Sequence, residues 1–73
     1  MKTTEENRVL ISEYINDEFG ELKIYRCSAH EYDETYRELD KFISLAYKSK
    51  LISFEDYQAL ARDLNKRLIT ALL

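Results

Sequence analysis

Residues 8–27, RVLISEYINDEFGELKIYRC, decide the fold of this chain because they suit two different structures. Two runs rich in β-branched and aromatic residues flank a turn-like segment, NDEFG, at residues 16–20. Asn, Asp and Gly tolerate left-handed backbone conformations, so this segment is typical of a hairpin turn that ends at Gly20. We therefore predict a β-hairpin over residues 8–27.

The same stretch also fits a helix. Apolar residues recur at helical spacing between Glu5 and Phe19, at Leu10, Ile11, Tyr14, Ile15 and Phe19. Gly20 would then be the helix C-cap, and a short strand would follow it. We favour the hairpin because Leu22 and Ile24 alternate with polar or aromatic neighbours, which is the period of a strand. The order α-helix, short strand, αα-hairpin remains the alternative.

The second half of the sequence predicts two amphipathic helices, at residues 29–49 and 53–72. Each follows a serine suited to the N-cap position, Ser28 or Ser53, and an acidic residue stands three positions after each serine. Apolar residues then recur at steps of three and four along both segments. A short turn between two such helices gives an antiparallel αα-hairpin.

We therefore expect an α+β fold of ββαα order, with an N-terminal β-hairpin packed on an antiparallel αα-hairpin. We expect the 73 residues to form a single domain, 1–73, with a flexible N-terminus at residues 1–7. A chain this short has a thin core. Cys27 is the only cysteine, and Cys27 with His30 falls short of a four-ligand zinc site. These limits, together with nine aromatic residues, favour a homodimer.

The net charge of −3 and a pI of about 5.1 argue against a general nucleic-acid binder. The charge is also uneven, because residues 1–40 hold eleven of the fourteen acids and residues 41–73 hold six of the eleven bases. Such asymmetry can steer a partner. The amino terminus is polar and no apolar run is long enough to cross a membrane. We therefore expect a cytoplasmic protein without a membrane segment.

The segment HEYDE, residues 30–34, resembles the HExxH zinc motif, but Glu34 stands where the second histidine would be. Acidic residues in a first helical turn complement the helix dipole, and Asp33 and Arg37 have the spacing of an ion pair. The sequence has no Gly-rich phosphate loop, paired-cysteine motif or Ser/His/Asp pattern. We expect no catalytic residue, no metal site and no cofactor.

These features together predict a small non-catalytic regulator or inhibitor that binds another protein. Its contact surface is expected to be acidic and to contain tyrosine, at Glu31, Asp33, Glu34, Glu38, Tyr25 and Tyr32. One concrete form is a phage or mobile-element protein whose carboxylates imitate phosphates and block a basic host nucleic-acid enzyme.

A DNA-binding alternative comes from LKIYRCS, which begins at Leu22 and precedes an acidic helix. In its order of strand, helix and helix, residues 22–68 resemble the ribbon-helix-helix repressors and antitoxins. Members of that family dimerise through the strand and place its outward residues in the DNA major groove. The resemblance implies DNA contacts by Lys23 and Tyr25. A separate basic cluster completes the nucleic-acid-binding set, at Arg62, Lys66 and Arg67.

A second alternative comes from YRELDKFI and AYKSKLIS, which precede another helix within residues 36–69. This region is similar to the helical-hairpin phosphatases that act on sporulation response regulators. The signature of that family is Ser-Gln-Glu-Leu-Asp, and residues 61–65 read Ala-Arg-Asp-Leu-Asn at the matching positions. Only the leucine is kept, and Asn65 replaces the final acid. The resemblance implies a response-regulator phosphatase as the second alternative.

Overall fold

The computed structural model describes residues 4–73, which form three α-helices in an elongated bundle. The helices are α1 (Thr4–Ile24), α2 (Ala29–Lys48) and α3 (Phe54–Leu72). The bundle measures 37 × 17 × 16 Å along its principal axes. Contacts from Arg8 to Asp56 and from Asn16 to Arg67 advance together along α1 and α3. These two helices are therefore parallel, and α2 runs between their ends in the opposite direction.

The predicted β-hairpin over residues 8–27 is wrong, and so is the short strand of the alternative. Most of this stretch belongs to α1, and residues 4–73 contain no strand. Ile11, Ile15 and Phe19 are buried at steps of four, so they lie on one face of a helix. The β-branched residues suggested strands, but an isolated two-stranded ribbon is marginal in water. A helix satisfies its interior backbone groups internally and buries this stripe against its neighbours.

Helix α1 is also longer than the helix of the alternative prediction, which ended at Phe19. It begins at Thr4, so residues 4–7 belong to the helix and not to a flexible N-terminus. Residues 1–3 of that predicted segment lie outside the described residues. Helix α1 continues through Gly20, which is therefore not the C-cap. The strand on which the ribbon-helix-helix resemblance depends is replaced by the last turn of α1 and its connection to α2.

Helix α1 ends in a Schellman motif that contains no glycine. The amide of Cys27 donates to the carbonyl of Leu22 at 3.0 Å, and the amide of Arg26 donates to that of Lys23 at 3.2 Å. Arg26 adopts a left-handed backbone with φ of 51°. Helix α2 ends in the same way at Lys50, whose φ is 63°. Both turns therefore place a side chain where glycine is usual.

The predicted antiparallel αα-hairpin is confirmed by α2 and α3, each of which lies within one residue of its expected bounds. Both predicted N-caps are formed. The Ser28 hydroxyl accepts from the amide of Glu31 at 3.3 Å, and the Ser53 hydroxyl accepts from that of Asp56 at 3.1 Å. The caps satisfy amides that have no partner within the helix, and so fix where α2 and α3 begin.

All three helices contribute to one thin core. The buried residues are Ile11, Ile15, Phe19, Tyr32, Leu39, Ile43, Ala46, Ile52, Leu60 and Leu64. The largest fully buried side chains are Ile15, Ile43 and Leu64, one from each helix. Removing any one helix would therefore expose the central core side chains of the other two helices.

Gly20→Ala is expected to stabilise the fold by about 0.5–1 kcal/mol, because alanine has the higher helix propensity. Apart from its two chain neighbours and the adjacent backbone of α1, a Cβ at position 20 would meet no atom within 4 Å, so no tertiary clash opposes the gain. Urea unfolding monitored by circular dichroism measures the change. The matched control is Ala59→Gly on the exposed side of α3, which should destabilise by a similar amount. A lower stability of Gly20→Ala would contradict a continuous α1.

Lys50→Gly is also expected to stabilise the fold by about 0.5–1 kcal/mol. A residue with a Cβ pays a steric free-energy cost in the left-handed backbone conformation, and glycine does not. This saving exceeds the extra conformational entropy cost that glycine pays on folding. Lys48→Gly is the control. Lys48 lies within the last turn of α2, so glycine at this position should destabilise the protein. Thermal melts of the two variants should shift in opposite directions. A shift in the same direction would refute the Schellman geometry at Lys50.

Candidate functional site

An apolar groove lies between the first half of α1 and the second half of α2. Its volume is about 320 Å³, and it is lined by Asn7, Leu10, Ile11, Phe42, Leu45, Ala46, Ser49 and Leu51. Four of these side chains are large, apolar and 44–62% exposed: Leu10, Phe42, Leu45 and Leu51. Isolated exposed apolar residues are ordinary, but four around one groove form a contiguous apolar surface. The groove is therefore an apolar surface to which both α1 and α2 contribute.

Two polar contacts hold the start of α1, which forms one side of this groove. The Asn7 side-chain amide donates to the carbonyl of Leu51 at 2.7 Å, which ties the start of α1 to the turn after α2. The next residue of α1 contacts α3, since Arg8 Nε lies 3.3 Å from Asp56 Oδ1 at the start of that helix. The start of α1 is thus tied both to the turn after α2 and to the start of α3.

Tyr14 marks the end of the groove and the beginning of an acidic patch. Its ring lies 5.4 Å from that of Phe42, centroid to centroid. The pKa of Tyr14 is raised, chiefly because the Glu18 carboxylate repels the phenolate. Burial and a hydrogen bond to Glu18 also raise it, as do the charges of Glu38 and Glu21. Acids of both helices therefore surround one phenol.

The acidic patch continues toward the start of α2. Glu31, Glu34 and Glu38 are exposed and follow one another at steps of three and four, so they share one side of that helix. With Glu18 and Glu21 of α1 they make up the acidic patch. The groove and the patch together form one surface, which we call the α1/α2 face. One half of this face is apolar and the other half is negative.

The predicted contact residues do not all lie on the α1/α2 face. Asp33 pairs with Arg37 at 2.9 Å, as the spacing predicted. Tyr32 is only 9% exposed, and its ring lies 6.1 Å from that of Phe19 in the core. Tyr25 is 76% exposed and lies in the connection after α1. The structure brings Glu31, Glu34 and Glu38 together and separates the other three predicted residues from them.

His30 and Cys27 lie beside the acidic patch. His30 Nε2 is 2.8 Å from Glu34 Oε1, and both side chains are exposed. The pKa of the Cys27 thiol is raised by a hydrogen bond to Glu31, by burial and by the charge of Glu31. A raised pKa leaves less thiolate, whereas reactive cysteines have lowered values. Within residues 4–73, no group of three or more His, Cys, Asp or Glu side chains is arranged to hold a metal ion.

The residues of the nucleic-acid alternative divide between two places. Lys23, Lys66 and Arg67 line one cleft between α1 and α3. Arg62 and Tyr25 are exposed and do not belong to its lining. Within the segment that matches the phosphatase signature, Leu64 is fully buried and Asp63 pairs with Arg67 at 2.8 Å.

Three residues of the α1/α2 face, Tyr14, Glu18 and Glu21, were not predicted as contact residues from the sequence. Tyr14 was assigned to a strand, whereas Glu18 and Glu21 were assigned to the hairpin turn or its margin. The helical alternative held the necessary signal, because Tyr14, Glu18 and Glu21 lie at steps of four and three. These residues share one side of a helix but are dispersed by a hairpin.

No protein-family model, curated protein sequence or solved structure matches this chain. Among the described residues, no helix combines the length and apolar character that a membrane span requires.

Glu18→Gln is expected to lower the pKa of Tyr14 toward the ordinary tyrosine value of about 10. The folded state holds this phenolic proton more tightly than the unfolded state does. The resulting stabilisation is therefore present below about pH 10 and is lost as the pH rises through the folded pKa. A pH titration of ¹³C-labelled tyrosine by NMR measures the shift. Glu13→Gln is the control, because Glu13 is not among the causes of the raised pKa. An equal shift in both variants would argue against the local acidic patch.

Proposed function

We propose that this protein is a non-catalytic regulator or inhibitor that binds a basic protein surface through its α1/α2 face. The observation that carries the proposal is the junction of an apolar groove with five carboxylates from two helices. This arrangement suits a partner that offers apolar anchors beside Lys and Arg side chains. Nucleic-acid enzymes present such basic surfaces to phosphates, and they are the partner class that we propose.

The apolar half supplies the affinity in this proposal. Phe42 and Leu45 are 44% and 62% exposed, so each has substantial apolar surface still to bury. Complete burial of a side chain of this kind contributes about 1.5–3 kcal/mol. Leu10 and Leu51 enclose the groove around them. Apolar and aromatic side chains that become buried in a pocket at an interface usually contribute most of its binding energy.

The acidic half supplies orientation and partner selection. Its carboxylates lie at one end of the groove, so a bound partner has a defined direction along α1 and α2. Charges at the rim of an interface mainly accelerate association and exclude partners of like charge. Binding should therefore weaken as the salt concentration rises.

The test uses the tagged full chain as bait and measures the affinity of a stoichiometric partner with purified components. Glu21→Lys/Glu38→Lys should weaken binding by about a hundredfold, since two favourable charges become repulsive. The matched control is Glu13→Lys/Glu55→Lys, which makes the same change in net charge at exposed positions outside the patch. The control should retain most of the affinity. Equal loss in both double variants would overturn the proposed site.

A second pair of variants tests the groove. Phe42→Ala should reduce the affinity by about tenfold or more, because it removes an anchor. Phe54→Ala is the control: Phe54 is similarly exposed at 49% but lies in an aromatic cluster with Tyr47 and Tyr57, away from the groove. Circular dichroism verifies that both variants remain folded. Unchanged binding by Phe42→Ala would exclude the groove from the interface.

The expected homodimer remains a separate prediction. Sedimentation equilibrium of the free chain measures its mass, and Phe42→Ala shows whether any dimer uses the groove. A dimer that the foreign partner displaces would place self-association on the α1/α2 face. A dimer that persists in the complex would place it elsewhere.

A further inference from the structure

A second cleft lies between α1 and α3, near the C-terminal ends of both helices. Its volume is about 510 Å³, which falls within the range of small-ligand pockets. Phe19 and Tyr32 are buried at its base, 3% and 9% exposed, with ring centroids 6.1 Å apart. Lys23 of α1 and Lys66 of α3 also line it. The cleft thus combines an aromatic base with cationic walls.

The charges in this cleft do not cancel. Asp63 is paired with Arg67, whose Nε lies 2.8 Å from Asp63 Oδ2. The same guanidinium donates to the Asn16 side-chain oxygen, which ties α3 to α1 beside the cleft. Within residues 4–73, neither Lys23 nor Lys66 belongs to an ion pair with a carboxylate. The Asp63–Arg67 pair is neutral overall, so the two lysines leave an excess of two positive charges.

This local excess contrasts with the net charge of −3 for the whole chain. No carboxylate of the acidic patch lines the cleft, and among the described residues Asp63 is the only acid that does. Thr70 adds a hydroxyl that can donate to an anionic oxygen. Two ammonium groups and a hydroxyl around an aromatic base favour an anion that carries an apolar body. A bare inorganic anion would leave the aromatic base unused.

We propose that this cleft binds a small organic anion, namely a phosphate or carboxylate group on an aromatic or aliphatic body. Lys23, Lys66 and the Thr70 hydroxyl hold the anionic group. The apolar body packs toward Phe19 and Tyr32. This site is independent of the proposed function, because none of its lining residues belongs to the α1/α2 face.

The test titrates the ¹⁵N-labelled full chain with 1-naphthyl phosphate and follows the amide chemical shifts. We expect saturable binding, with the largest shifts around Thr70 and Ala71, which line the cleft. Lys23→Gln/Lys66→Gln should weaken binding by about tenfold or more, because two charge-assisted contacts are lost. The matched control, Lys41→Gln/Lys48→Gln, removes two exposed charges from α2 and should change the affinity by less than about threefold.

Two further titrations separate the contributions of charge and apolar surface. Inorganic phosphate and 1-naphthol should each bind at least about tenfold more weakly than 1-naphthyl phosphate, because each lacks one half of the recognised chemistry. Equal affinity for either compound would overturn the proposal, as would equal weakening in the two double-lysine variants. Thr70→Val keeps both lysines and provides a second variant if the double substitution unfolds the chain. Undiminished binding by Thr70→Val would then overturn the assignment of the anion to this cleft.

Discussion

The structure depends on the burial of one apolar stripe from each of three helices in a single thin core. Ile15, Ile43 and Leu64 are its fully buried members, and each comes from a different helix. None of the three helices can bury its stripe alone, and a stripe left in water would lose most of its hydrophobic stabilisation. This requirement explains why residues 8–24 are helical despite many β-branched side chains. As a helix, α1 presents Ile11, Ile15 and Phe19 together to α2 and α3, whereas the predicted hairpin would have placed Phe19 in its turn.

The same requirement explains which parts of the fold could be predicted. For α2 and α3, local and long-range signals agree, since the Ser28 and Ser53 caps precede regular apolar stripes. For α1 they conflict. Gly20 and the β-branched residues favour turns and strands, whereas the stripe favours a helix. The burial of Ile15 against other helices decided the outcome, and a single sequence does not display that contact.

The candidate site shows a similar division. Glu31, Glu34 and Glu38 could be predicted as a group because one helix, correctly identified, places them on one side. Glu18 and Glu21 could not, since their position beside α2 requires α1 to be helical. Helical packing also changes the tyrosines: Tyr32 enters the core, whereas Tyr14 lies at the junction of groove and patch. The error in α1 thus left Tyr14, Glu18 and Glu21 out of the predicted surface.

The directions of neighbouring helices determine where the acidic and basic side chains of the bundle collect. Acids of α1 and α2 meet at the α1/α2 face because these helices are antiparallel neighbours, so the end of α1 lies beside the start of α2. Helices α1 and α3 are parallel, so Lys23 in the last turn of α1 lines the same cleft as Lys66 in the second half of α3. Lys23 lies in the last turn of α1, where the helix dipole also favours a cation. A chain that is acidic overall thereby retains a positive cleft on a different face from its negative patch.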